Sequence, residues 1–103
     1  MGARNLGGRR YTWNDEKRRQ VKKEHSIDLA DIPAVFEGPT LEIDAQEHEM
    51  DGLRLKVLGL SRQDVVVVVY TERNDTEIRL ITAWYANKVE QTLYYETLFG
   101  ERF

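Results

Sequence analysis

The sequence has no cysteine, which excludes a disulfide framework, a thiolate metal site and a cysteine nucleophile, and fits a reducing compartment. Its two histidines, His25 and His48, lie far apart with no second histidine at helical spacing, so no histidine metal motif is present. There is no glycine-rich phosphate loop and no nucleophile elbow, and neither cofactor nor metal is expected. The longest purely apolar run, residues 65–69, is too short to span a bilayer, and no apolar stretch follows the N-terminal arginines as a signal peptide requires. A cytoplasmic protein without a membrane partner is the expectation. With only two prolines against 41% hydrophobic and 10% aromatic residues, bulk disorder is also excluded.

What is there fits one small domain, because 103 residues do not supply two cores. The charge is unevenly spread. Residues 1–25 carry eight Lys or Arg against three Asp or Glu, whereas residues 26–103 carry seven against fifteen. A basic end can meet a polyanion and an acidic body can meet a basic partner, although charge runs are also ordinary solvated faces.

Residues 1–9 contain three glycines and no apolar periodicity, and are expected to be a flexible lead-in to a domain spanning 10–103. A short strand over 10–13 leads to Asn14 as an N-cap, with Asp15 and Glu16 in the first turn of a helix running to about Glu24. Ile27, Leu29, Ile32, Val35 and Phe36 recur at three- and four-residue intervals, which predicts a second, short helix stopped by Gly38 and Pro39. A brief strand over 41–43 precedes a loop over 45–52. From there the period becomes two, predicting strands over 53–60, 65–72 and 76–84 joined by hairpin turns. Asn87 and Glu90 form a capping-box pair for a last helix that Gly100 closes. The expected fold is α+β, in the order β-α-α-β-β-β-β-α, with an antiparallel sheet packed by helices.

Alternation places Leu53, Leu55 and Val57 on one face of the sheet and Arg54 and Lys56 on the other; it also groups Ile78, Leu80 and Thr82 against Glu77, Arg79 and Ile81. Arg54, Lys56 and Arg79 then share the open face. Such a cluster suits a phosphodiester, and it also suits solvent-facing strand residues. Trp13, Trp84, Tyr85, Tyr94 and Tyr95 offer either stacking surfaces for bases or closure of a core.

The ordered set Tyr11-Thr12-Trp13-Asn14, Lys17, His25-Ser26-Ile27-Asp28-Leu29 and Ala34-Val35-Phe36 resembles the opening of the BrnT family. Gly59, the run from Val65 to Arg73, Ile78-Arg79-Leu80-Ile81-Thr82-Ala83, Glu90 and Tyr94 continue the resemblance, which covers about residues 11–96. The sequence departs from that pattern at Val21, Glu24, Ser26 and Trp84, the last standing where the family has arginine.

The resemblance implies a RelE-like fold and the toxin of a type II toxin-antitoxin system: an endoribonuclease that cuts RNA to inhibit translation. Its implied partner is a DNA-binding, BrnA-like antitoxin in a hetero-oligomer, with no direct DNA binding by the toxin itself. Such an enzyme needs no metal, because the RNA 2′-hydroxyl can attack the adjacent phosphate once a base takes its proton. Arg54, Arg73 and Arg79 match the family's arginines and His25 its histidine; Arg54 and Arg79 are then the phosphate ligands, Arg73 assists, and His25 or Glu72 transfers the proton. Lys17, Lys22, Lys23 and Lys56 are further candidate RNA contacts. The alternative is a diverged, catalytically weak relative serving as an interaction or nucleic-acid-binding module.

Overall fold

The alternating apolar pattern after residue 52 builds the centre of the molecule. In the computed structural model, which describes residues 1–100, the chain runs β1 (Gly2–Leu6), β2 (Arg9–Trp13), α1 (Asp15–His25), a 3-10 helix (Leu29–Glu37), β3 (Leu41–His48), β4 (Gly52–Ser61), β5 (Asp64–Glu72), β6 (Glu77–Tyr85) and α2 (Lys88–Phe99). The strands form one sheet in the order β1-β2-β6-β5-β4-β3, and the fold is α+β as expected. The run of valines in β5 is buried on both faces because β5 is central: Val66 and Val68 face one core, Val65 and Val67 the other.

The larger core holds Tyr11, Trp13, Val21, Leu29, Ile32, Val35, Val57 and Leu80, and lies between the sheet and the pair formed by α1 and the 3-10 helix. The smaller core, on the opposite face, is closed by Tyr94 of α2 against Leu58 and Val67, and the Tyr94 hydroxyl donates to the Pro39 carbonyl at 2.8 Å. The caps follow the sequence. Asn14 accepts from the amides of Glu16 and Lys17, and Asn87 and Glu90 complete a reciprocal capping box. Asp28 caps the 3-10 helix through Ala30 N–H and takes two hydrogen bonds from Arg18, at 2.7 and 3.0 Å; that guanidinium holds the Asp28 carboxyl below the usual carboxylate range.

Four features depart from the sequence reading. Residues 2–6, expected in a flexible lead-in, pair antiparallel with β2 as an edge strand. The reason is Gly7-Gly8, whose φ values of 59° and 78° make the two-residue turn that matches strand twist. β2 pairs parallel to β6, at residues 10–12 with 77–79, so the sheet is antiparallel at every neighbouring pair except this one. The connection between them is long enough to permit it. β3 runs on through Ala45 to His48, stretches that read as loop because acidic residues at a sheet edge look like a solvated segment. Finally, β6 carries one extra residue, Ile81: Val69 faces Thr82 but Tyr70 faces Leu80. This bulge reverses the alternation, so Thr82 leaves the face of Ile78 and Leu80, and Ala83 joins the larger core instead.

Two substitutions test this packing. Gly59 is buried where the 3-10 helix crosses β4, and a Cβ there would overlap Val35 Cγ1, a stiff β-branched side chain that is 1% exposed. Gly59→Ala should cost about 1–3 kcal/mol in denaturant unfolding. Ser26 closes α1 with φ 60°, in the left-handed region that glycine adopts without steric cost. Ser26→Gly should therefore raise the thermal midpoint by a few degrees, corresponding to up to about 1 kcal/mol; an unchanged or lower midpoint would contradict the strain assigned to this cap.

Candidate functional site

Strand register gathers the site. Across the face not covered by α1, Gln46, Arg54, Thr71 and Arg79 lie in one row on β3, β4, β5 and β6, and Thr12 of β2 extends it. The next row is Asp44, Lys56, Val69 and Thr82, and a third runs Leu58, Val67 and Trp84. α2 packs over the third row through Tyr94, leaving the first two open. A shallow groove lined by Asp44, Gln46, Arg54, Lys56, Thr82 and Trp84 runs along this surface.

Arg54 does not stand alone. Its guanidinium donates through Nε to Asp51 Oδ2 at 2.8 Å and makes a second, short contact to the same oxygen. This guanidinium, with smaller contributions from His48 and Arg73, holds the Asp51 carboxyl below the usual carboxylate range. Thr71, 1% exposed, donates to the Asp51 carbonyl at 3.1 Å and so ties the β3–β4 turn to the row. Arg79 is half-buried, and among the described residues it has no hydrogen bond or ion pair. Beside it Glu77, on the same face of β6, accepts from the Thr12 hydroxyl at 3.3 Å. Lys56 places its Nζ 5.4 Å from the centre of the Trp84 ring, a cation–π contact across the groove.

The expected site residues therefore divide. Arg54, Lys56 and Arg79 share the open face, and Arg73, exposed in the β5–β6 turn, lies close enough to Asp51 to act on its charge. Glu72 is exposed at the end of β5 but pairs with Ile78, on the opposite face of the sheet from Arg54 and Arg79. His25 is at the far end: its ring is 6.2 Å from that of Trp84, which lies five residues along β6 from Arg79, or about 15 Å of strand. Lys17, Lys22 and Lys23 are exposed on α1, whose buried Val21 faces the larger core, so they do not look onto the row. Asp51, Thr71 and Glu77 were not singled out from sequence. Asp51 reaches Arg54 from the β3–β4 turn three residues away, Thr71 joins the row through strand register, and Glu77 shares the face of Arg79 by alternation along β6. Among the described residues there is no group of three or more His, Asp or Glu able to hold a metal ion, and no helix is long and apolar enough to cross a membrane.

Fold and site together define a small α+β protein with a partly cationic groove on an open sheet face. A family model described as the ribonuclease toxin BrnT of type II toxin-antitoxin systems matches residues 13–90, and the chain belongs to this family. A type II toxin implies an antitoxin partner. The fold also resembles the crystal structure of the Brucella abortus ribonuclease toxin BrnT, with a TM-score of 0.61 and 19% identity, over 76% of this chain and 96% of that one. No curated protein matches the sequence.

The Asp51–Arg54 pair gives a pH prediction. A carboxylate whose folded pKa is depressed contributes stability above its unfolded pKa and loses it as pH falls through the folded value. The stability difference between the unmutated protein and Asp51→Asn should be constant from neutral pH to about pH 4 and close below it, in urea unfolding followed against pH. A difference that closes between pH 6 and 7 would contradict this pairing.

Proposed function

We propose that the chain is an endoribonuclease that binds single-stranded RNA along the open sheet face and cuts it without a metal, inhibiting translation until a BrnA-like, DNA-binding antitoxin covers that face. The observation that carries the reading is the row Arg54–Thr71–Arg79: two guanidinium groups on adjacent but one strands, fixed by backbone register, with Arg79 unengaged among the described residues. Arg79 and Arg54 hold the scissile phosphate and offset the charge that develops on its oxygens, and Arg73 assists from the turn. The RNA 2′-oxygen attacks phosphorus, the bond to the 5′-oxygen breaks, and the products are a 2′,3′-cyclic phosphate and a 5′-hydroxyl. The attacking hydroxyl gives its proton to Glu77, the carboxylate on the face of Arg79, and the departing 5′-oxygen takes up a proton from water. Glu72 and His25 are not beside the row, so the proton-transfer role passes from them to Glu77.

A second reading has its own observation. Asp51 engages Arg54 and Asp44 lies opposite Lys56, so acids offset two of the three cations on the face. Such a surface also suits an RNA-binding or interaction module without cleavage.

The test is cleavage of single-stranded RNA by the antitoxin-free protein in the presence of a chelator. Arg79→Ala should lower the rate about a hundredfold, as loss of one transition-state charge contact does, while shifting the thermal midpoint little. Glu77→Gln should lower it comparably and His25→Ala should not. Binding without cleavage by the unmutated protein would favour the module; equal cutting by Arg79→Ala would move the site off the sheet face.

A further inference from the structure

The C-terminal end of α1 and the end of β6 converge beyond the cationic rows. β2 accompanies β6 only at residues 77–79, and from there α1 packs along β6 instead. The two elements border an open, shallow cleft lined by Glu24, His25, Ser26, Trp84 and Tyr85. Three of these five side chains carry rings: the His25 and Trp84 rings are 6.2 Å apart at 46°, and Tyr85 is 49% exposed, while the Glu24 carboxylate lies 3.9 Å from His25 Nε2. The left-handed cap at Ser26 turns the chain away immediately after His25, so the imidazole stands at the rim with the helix behind it. Trp84 also borders the groove that carries Arg54 and Lys56, so one indole joins both depressions.

We propose that this cleft is a nucleobase subsite, in which one unpaired base of the RNA lies against the Trp84 indole and the His25 imidazole while Lys56 meets the neighbouring phosphate. This rests on the reading of the sheet face as an RNA-binding surface. The chemistry favours a base over an apolar side chain. A flat π surface beside a cation, at the end of a groove with further cations, matches a polymer that alternates flat rings with negative charge. Stacking of this kind tolerates any base, so the cleft contributes affinity and sets how far along the chain a base must sit from the phosphate at Arg79. His25 thereby acts as a binding residue.

Trp84 reports on its own occupancy. The other tryptophan, Trp13, is 3% exposed in the larger core, out of reach of a ligand. A short 2′-O-methyl oligoribonucleotide, which cannot be cut, should quench the tryptophan fluorescence of the antitoxin-free protein, whereas an abasic phosphodiester of equal length should bind about tenfold more weakly and quench little. Trp84→Phe should keep most of the affinity and lose the quenching, and Trp84→Leu, which preserves apolar bulk over the smaller core without a π surface, should bind about tenfold more weakly. If base-bearing and abasic chains bind equally well and leave the fluorescence unchanged while RNA is still cut, the cleft holds no base and the ribonuclease reading stands without it. If neither chain binds and no RNA is cut, the RNA-binding reading itself falls, and this inference with it.

Discussion

One inserted residue decides what the open face contains. Without the bulge at Ile81, strict alternation along β6 would set Arg79 with Ile81 and Ala83, and would send Thr82 and Trp84 to the core under α1. The bulge at that position turns Thr82 and Trp84 onto the face of Arg79, where they meet Lys56 and Arg54 across β5, and lets Ala83 fill the larger core. The equivalent irregularity in β3 between Glu42 and Asp44 brings Asp44 opposite Lys56 and Gln46 opposite Arg54. Two one-residue slips thus make a continuous groove out of strands whose patterns, taken singly, would give a different surface.

The rest of the scaffold holds that face open and still. The larger core takes α1 and the 3-10 helix to the opposite side of the sheet, and Gly59 lets the 3-10 helix approach β4 closely enough to bury Val35. α2 is restricted to one end by the Tyr94 hydroxyl bond to Pro39. At the other end Thr71 and Asp51 fix the β3–β4 turn and orient the Arg54 guanidinium. The electrostatic result is a balanced surface rather than a strongly positive one. It suits short-range capture of a phosphate by positioned guanidinium groups more than long-range attraction of RNA.

Elements whose signals are local were legible in the sequence: the Asn14 and Asn87 caps, the Gly100 stop, and the three strands of the central meander all stand within a residue or two of where their patterns put them. The N-terminal strand was missed because its residues carry no alternation, and the hairpin signal lay in Gly7-Gly8 alone. For the site, Arg54, Lys56 and Arg79 were correctly placed on one face, since each lies in a run whose neighbours alternate. Trp84 was out of reach because a bulge leaves no mark in the periodicity of a single strand. Asp51 lies three residues from Arg54 and Glu77 two from Arg79 without any sequence signal marking either as functional, whereas Thr71 joins the row only through strand pairing. The position of His25 was beyond sequence reasoning for the same reason: it depends on α1 lying alongside the part of β6 that β2 does not reach.

In the function proposed above, RNA lies along one groove on the sheet face, from the Arg54–Arg79 row to Trp84. Amide chemical shifts of the antitoxin-free protein, followed while a non-cleavable single-stranded oligoribonucleotide is added, test it directly. Shifts should concentrate at residues 54–56, 69–71 and 79–85, with the C-terminal end of α1 joining them. Shifts confined to the exposed surface of α1 around Lys17, Lys22 and Lys23, with the sheet rows unmoved, would contradict it.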